Sequence, residues 1–413
     1  MGSKTILILG GGVGGITVAN EFRQKLPSVY RVILVEKNPT HAFAPSFLWL
    51  MTGNRRANTI TRPVHRLVRP GVEIIHAEVT GIDVRNRLIT TTKDSVGFDY
   101  LVIALGAELA PDLIPGLAES AFSFYTFEET QRLKPALEKF EGGNISLVVS
   151  ALPYKCPGAP HEAAMLLADY FRKRGLKDQV NIHLYTPEPQ PMPVAGPQLG
   201  DAVRQMLASK GIVFHPLYKL VSVDPQNHRL SFDGKEPVPY DMLIAIPPHR
   251  AAPIVREAGL TNDAGWIPVD GLTLKTRYEQ IYAIGDITAI SIPGRWKSDV
   301  PMMLPKAGVF AHLQAEIVAR RVVDEINGKI SNSRFSGGGY CMLEAGEGLA
   351  GFAFGDFYAE PSPRLELRNI GQAWHLGKVL FEQWWLAPIG IRKEILRTLL
   401  VLGTKVFKIP VSV

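Results

Sequence analysis

Cys156 and Cys341 are the only cysteines in this chain of 413 residues, and Cys156 stands where another group is expected. Asn144–Ser150 (NISLVVS) reads as a buried strand and Pro160–Arg172 as the helix after it. Between two such elements a nucleotide-binding fold places glycines, so that the backbone can approach a pyrophosphate at the helix start. Here the turn is Ala151-Leu-Pro-Tyr-Lys-Cys-Pro-Gly158, with no G-x-G-x-x-G. A thiol in that turn could exchange electron pairs with a second sulfur. Cys341 lies 185 residues further on, so only the fold can bring the two together. The thiolate is the reactive form, and the nearby helix start predicts a lowered pKa for Cys156. Glu162, taken by position alone, reads as a first-turn acid favoured by the helix dipole. His161 reads as a solvated histidine, with a proton relay as its second role. Taken alone, two cysteines also fit small buried hydrophobes. They are too few for a disulfide framework or a four-cysteine zinc site, and no metal is expected.

The N-terminal segment carries a clearer signal. The apolar strand Thr5–Leu9 runs straight into Gly10-Gly-Gly-Val-Gly-Gly15, then a helix over Ile16–Leu26 and a second strand, Arg31–Val35. Gly10, Gly12 and Gly15 fill the three fingerprint positions, for the tight turn, the approach to pyrophosphate and helix–strand packing. Glu36 suits the adenosine ribose hydroxyls, with Lys37 beside it. Two later buried strands end in glycine turns: Tyr100–Gly106, which brings Ala104 and Gly106, and Gln280–Asp286, which brings Gly285 and Asp286. An aspartate at such a strand end can accept a hydrogen bond from a ribityl hydroxyl, which a flavin has and NAD lacks. FAD is the expected cofactor.

Length predicts two or three domains. The expected architecture is α/β, with two Rossmann-like domains, the second lacking its nucleotide fingerprint, and a C-terminal amphipathic helical region. The boundaries fall at 1–110 and 265–330 for the split FAD domain, 111–264 for the second domain and 331–413 for the C-terminal region. A formal charge of +6 is mild, and none of the common nucleic-acid modules is visible. The span Ile389–Lys408 carries five basic residues against one acid, Glu394, with apolar residues at helical spacing, and Trp384-Trp385 precede it. That pattern predicts a helix lying on a membrane surface with interfacial tryptophans, although packing on the protein core fits it too. No stretch could span a bilayer. With an apolar strand already at Thr5, the expectation is a cytoplasmic protein resting peripherally on the membrane.

The set of motifs over residues 5–325 resembles the two-dinucleotide-binding-domain flavoproteins, the pyridine nucleotide–disulfide oxidoreductase superfamily. Four segments are most similar to sulfide:quinone oxidoreductases and to the flavoprotein subunit of flavocytochrome c sulfide dehydrogenase: Ala44-Pro-Ser-Phe-Leu-Trp49, Lys155-Cys-Pro-Gly-Ala-Pro-His-Glu162, Pro305–Ala315, and Gly339-Tyr-Cys341 with its following residues. The resemblance implies that Cys156 and Cys341 are redox partners with Glu162 handling protons, that Pro45 flanks the flavin, and that Lys306 contacts its pyrimidine end. It implies sulfide as donor, a membrane quinone as acceptor, and polysulfide or zero-valent sulfur as product; an assembly of identical copies stays open. Many relatives carry a third cysteine where Thr126 stands here, so FAD is expected to be bound non-covalently. The alternatives are a type II NADH:quinone oxidoreductase, a sulfide dehydrogenase subunit with a cytochrome partner, and a non-catalytic thiol sensor.

Overall fold

Ile6–Leu9 is apolar at every residue, as a strand buried on both faces must be. In the computed structural model, which describes residues 3–297 and 300–409, all four are buried. The first half of the chain gives β1 (Thr5–Leu9), α1 (Val13–Lys25), β2 (Arg31–Val35), β3 (Val72–Ile75) and β4 (Tyr100–Ile103). A second unit follows, with β5 (Gly143–Val149), α2 (Ala159–Lys173), β6 (Val180–Tyr185), α3 (Pro197–Ser209), β7 (Val213–His215) and β8 (Met242–Ile246). The chain then returns through β9 (Ile281–Ala283) and α4 (Gly308–Ile326).

The first sheet runs β9-β4-β1-β2-β3 and is parallel throughout. Because β1, β4 and β9 are adjacent and in register, their C-terminal ends bring Gly10, Ala104 and Gly285 to one rim. Gly10 has φ +98, and a Cβ there would lie 2.5 Å from the Ala104 carbonyl oxygen. At Gly15 the helix passes so close to the turn that a Cβ would sit 1.8 Å from the Gly10 oxygen. The second sheet, β7-β6-β5-β8, is also parallel and has its own apolar core.

The C-terminal region holds the expected helices, preceded by a sheet. It opens with a three-stranded antiparallel sheet, β10 (Gly338–Gly346), β11 (Leu349–Asp356) and β12 (Arg364–Gly371). Only then come α5 (Gln372–Leu386) and α6 (Ile391–Val406). Trp384 and Trp385 are not interfacial: they are 6% and 5% exposed and belong to the core of the first domain. Trp385 donates its indole N–H to His41 Nε2 (3.0 Å) and stacks on Phe43. The half-buried Lys393 ammonium holds the end of α5 by donating to the carbonyls of Trp384, Trp385 and Ala387 at 2.9–3.1 Å. The apolar face of α6 does face outward, with Ile391, Ile395, Leu399, Leu402 and Val406 all exposed. Among the described residues no helix is long and apolar enough to cross a membrane.

The 1.8 Å approach at Gly15 involves two backbones, so no side chain can yield. Gly15→Ala is expected to cost about 3 kcal/mol or more and to strip the purified protein of flavin. Urea unfolding and the visible spectrum check both.

Candidate active site

The turn between β5 and α2 carries Cys156 in a left-handed conformation (φ +57), which costs about 1–2 kcal/mol for a non-glycine residue. Its neighbours hold it there. The Cys156 N–H donates to the Lys306 carbonyl (2.6 Å), the Ala159 N–H donates to the Cys156 carbonyl (2.9 Å), and the Tyr125 hydroxyl donates to the Lys155 carbonyl (2.9 Å). Cys341 comes from β10, which packs across the start of α2; a Cβ on Gly158 would lie 3.4 Å from its sulfur. The fold thus brings the two cysteines into one site.

Cys156 keeps solvent access and Cys341 is half-buried, but protein surrounds both sulfurs closely, so each is reachable yet poorly hydrated. Burial pushes the Cys156 thiol up to about 12; the Glu162 carboxylate adds to this, while Lys378 and the Ala159 N–H oppose it. Cys341 is raised for the same first reason. The lowered pKa expected from the helix start is therefore overturned: at this site dehydration outweighs the helix dipole. His161 is also not solvated. It is fully buried, edge-on to Phe214, and burial lowers its pKa to about 3, so it is a neutral packing residue.

Glu162 is 4% exposed and anchors a buried polar cluster that the sequence did not reveal. Its Oε1 accepts from the Lys378 ammonium (2.7 Å) and from the Glu344 N–H (2.8 Å). Burial raises its pKa, with Lys378 opposing. Burial acts to lower Lys378, but the carboxylates of Glu162 and Glu344 outweigh it and keep the ammonium charged. Glu344 Oε2 lies 2.9 Å from His375 Nδ1, and His375 is the partly exposed end of this row. Both Lys378 and His375 sit on α5, one turn apart, so a helix read from sequence only as apolar supplies the cation of the site.

The flavin-binding expectations converge on the rim of the first sheet. A Cβ at Gly12 or at Gly106 would meet nothing within 4 Å, and no side chain caps the start of α1. An extended phosphate-bearing group fits such an open backbone cradle. Glu36 stands over the turn, its Oε2 accepting from the Gly11 N–H at 2.5 Å. Asp286 has a buried Oδ1 without a partner, and burial raises its pKa despite Lys155 and Lys306 nearby. A ribityl hydroxyl would satisfy that oxygen, so these residues fit FAD. Lys306 donates to the carbonyls of Asp286 (2.7 Å) and Thr288 (2.9 Å), linking this rim to the Cys156 turn. Pro45 is exposed in a 3-10 turn (Ala44–Ser46), which Ser46 ties to Glu382 of α5 at 2.6 Å. Lys37, next to Glu36, is exposed, and its ammonium pairs with Glu78 at 3.4 Å. Thr126 caps the helix Phe127–Lys139, accepting from the Glu129 N–H.

The turn of the second unit, which lacks the glycine fingerprint, is filled by protein. Tyr154 is buried there and donates to Glu188 Oε2 (2.9 Å). Glu188 follows β6, where a nucleotide domain keeps its ribose-binding acid. Here it is turned inward, and burial pushes its carboxyl up to about 7.

The model of the pyridine nucleotide-disulphide oxidoreductase family matches residues 4–309. The chain belongs to that family. It is an FAD-dependent oxidoreductase. This family member is 27% identical to the sulfide-quinone reductase of Aquifex aeolicus, over 93% of its own length and 90% of that protein's. It is also 27% identical to the mitochondrial sulfide:quinone oxidoreductase of Mus musculus, over 86% and 79% of the two chains. The solved sulfide:quinone oxidoreductase of Aquifex aeolicus superposes with a TM-score of 0.85 at 25% identity, covering 100% of this chain and 96% of that one. A type II NADH:quinone oxidoreductase of Staphylococcus haemolyticus is 22% identical over 85% and 90%.

A thiol held near 12 is almost wholly protonated at neutral pH. Alkylation of Cys156 by iodoacetamide in the thiol-reduced protein should therefore speed up about tenfold per pH unit from about pH 7 to about pH 9. Peptide mass spectrometry separates Cys156 from Cys341. A rate already level below pH 8 would mean that the thiolate is stabilised after all.

Proposed function

We propose that this flavoprotein oxidises sulfide at Cys156 and Cys341 and delivers the electron pair to a membrane quinone. The observation that carries the reading is the Cys341 sulfur lying against Gly158, in the turn that bears Cys156. With the two cysteines joined by a sulfur bridge, hydrosulfide attacks one bridging sulfur. That S–S bond breaks; one cysteine keeps the incoming sulfur as a persulfide and the other leaves as a thiolate. A thiolate whose acid form lies near 12 is a strong base, and the ammonium of Lys378 with the carboxyl of Glu162 is placed to meet its charge or return its proton. FAD, held non-covalently by the Gly10–Gly15 turn, Glu36, Ala104, Gly106, Gly285 and Asp286, supplies the two-electron acceptor that lets the sulfur bridge re-form. Sulfur leaves as polysulfide or zero-valent sulfur. A nicotinamide donor fits less well, because Tyr154 and Glu188 are bonded to each other in the turn it would need.

The aromatic cluster on the opposite face of β10, where Tyr340, Phe43 and Trp384 surround Phe381 at centroid distances of 5.3–6.4 Å, is our candidate for the wall along which quinone approaches. The exposed stripe of α6 offers the membrane contact, with Arg392, Lys405 and Lys408 beside it.

Cys156→Ser and Cys341→Ser should each abolish sulfide-dependent bleaching of the flavin under anaerobic titration while leaving flavin content near that of the parent. A variant that keeps most of its turnover would exclude the two-thiol mechanism. For the membrane face, Ile391→Ser, Ile395→Ser and Leu399→Ser combined should reduce vesicle partitioning by about two orders of magnitude. Lys393 and Leu396 stay in place to hold the helix. Equal co-sedimentation of variant and parent would remove α6 as the anchor.

A further inference from the structure

A cavity of about 610 Å³ opens beside the first turn of α6, between the segment Gly53–Arg62 and the α5–α6 junction. Four arginines line it: Arg55, Arg56, Arg62 and Arg392. Its single lining acid, Glu382, is already neutralised. Arg55 binds it through Nε at 2.9 and 3.0 Å and through Nη2 at 2.9 Å, and Ser46 donates to it at 2.6 Å. Arg62 is held by carbonyl oxygens, including those of Thr61 (2.6 Å) and Asn58 (3.2 Å), which fix its guanidinium without cancelling its charge. Glu394, the one acid of α6, is not among the lining residues. The cavity therefore presents the charge of Arg56, Arg62 and Arg392 in excess. Arg392, which lines it, directly follows Ile391, where the exposed apolar stripe of α6 begins.

We propose that this cavity is a headgroup site for an anionic glycerophospholipid. Guanidinium forks match the paired oxygens of a phosphate, which an arginine-rich cleft whose lining carboxylate is already paired would bind in preference to a neutral polar group. The lipid's acyl chains would then continue along the stripe of α6. The assignment rests on the reading of α6 as the membrane face, and it adds what that reading lacks: a stereospecific contact that sets the depth and rotation of the helix on the bilayer.

The test compares the flavin-loaded, full-length protein on three vesicles: phosphatidylcholine alone, phosphatidylcholine with phosphatidylglycerol, and phosphatidylcholine with oleate at matched surface charge. Binding should be tightest with phosphatidylglycerol. In Arg56→Gln/Arg62→Gln/Arg392→Gln its advantage over oleate should vanish, with affinity for phosphatidylglycerol falling about fivefold per arginine removed. A control variant, Lys177→Gln/Lys210→Gln/Lys235→Gln, should keep the advantage; flavin content and thermal unfolding verify that both variants fold. Equal binding of the parent to phosphatidylglycerol and oleate vesicles would reduce the arginines to diffuse attraction and overturn the site, leaving the membrane reading intact. Failure to bind any vesicle would overturn both. Inorganic phosphate that binds the parent as tightly as the vesicles do, and is not displaced by them, would assign the cavity to a soluble anion and overturn the lipid.

Discussion

The buried pair of Glu162 and Lys378 is the contact on which the active site depends. It joins α2 of the second unit to α5 near the C-terminus, and through the Glu344 N–H it also seizes β10 between them. Three segments spread over more than half the chain meet on one carboxylate. Taking two charges out of water is costly, and the attraction repays it only when the remaining hydrogen-bonding capacity is met. Here Met342 and Trp49 complete the lysine's surroundings, by a carbonyl at 3.3 Å and a ring at 5.4 Å. Removing one partner would leave the other charge stranded, and β10 would lose the bond that holds Cys341 against Gly158. The pair is thus a positional device.

Strand geometry then separates two chemistries that must not mix. Side chains on β10 alternate between its faces. Cys341, Leu343 and Ala345 turn toward α2, the latter two joining the second unit's core. Tyr340, Met342 and Glu344 turn toward α5, meeting Phe381, Gly377 and His375. One strand therefore presents sulfur on one side and an aromatic, proton-bearing wall on the other. A shift of register by a single residue would exchange the two faces, which explains why β10 is held by main-chain bonds to β11 and by a side-chain bond from Glu162.

The fingerprint Gly10–Gly15 and the ends of β4 and β9 were legible in the sequence because their signal is local: a strand, a turn, and residues whose size the turn dictates. The thiol in the turn before α2 was legible for the same reason, as a departure from that local rule. What lay hidden was set by distant partners. Gly338–Gly371 has no clean alternation, since both faces of β10 are covered, and so it did not read as a sheet. Lys378 carries no local signal; its burial depends on two carboxylates 34 or more positions away. Trp384 and Trp385 suggested a membrane interface by composition, but Phe43 and His41 of the first domain claim them. Helical periodicity did identify α6, and there the outward apolar face remained without a protein partner to claim it.

The high thiol pKa at first seems at odds with sulfur chemistry, and the conflict disappears once the nucleophile is identified. If the cysteines rest as a sulfur bridge, neither carries a proton to lose and neither needs to attack. The incoming hydrosulfide is already an anion at neutral pH to a large extent, and it brings the negative charge with it. Poor hydration then works in the reaction's favour. It disfavours any anion that lingers, so the charge released when the bridge opens is driven toward Lys378, toward a proton, or onward as electrons. A site that stabilised a free thiolate would instead hold the opened bridge and slow its re-closure. On the proposed mechanism, poorly hydrated cysteines beside the Lys378 ammonium suit a relay that must return to its oxidised form after every electron pair.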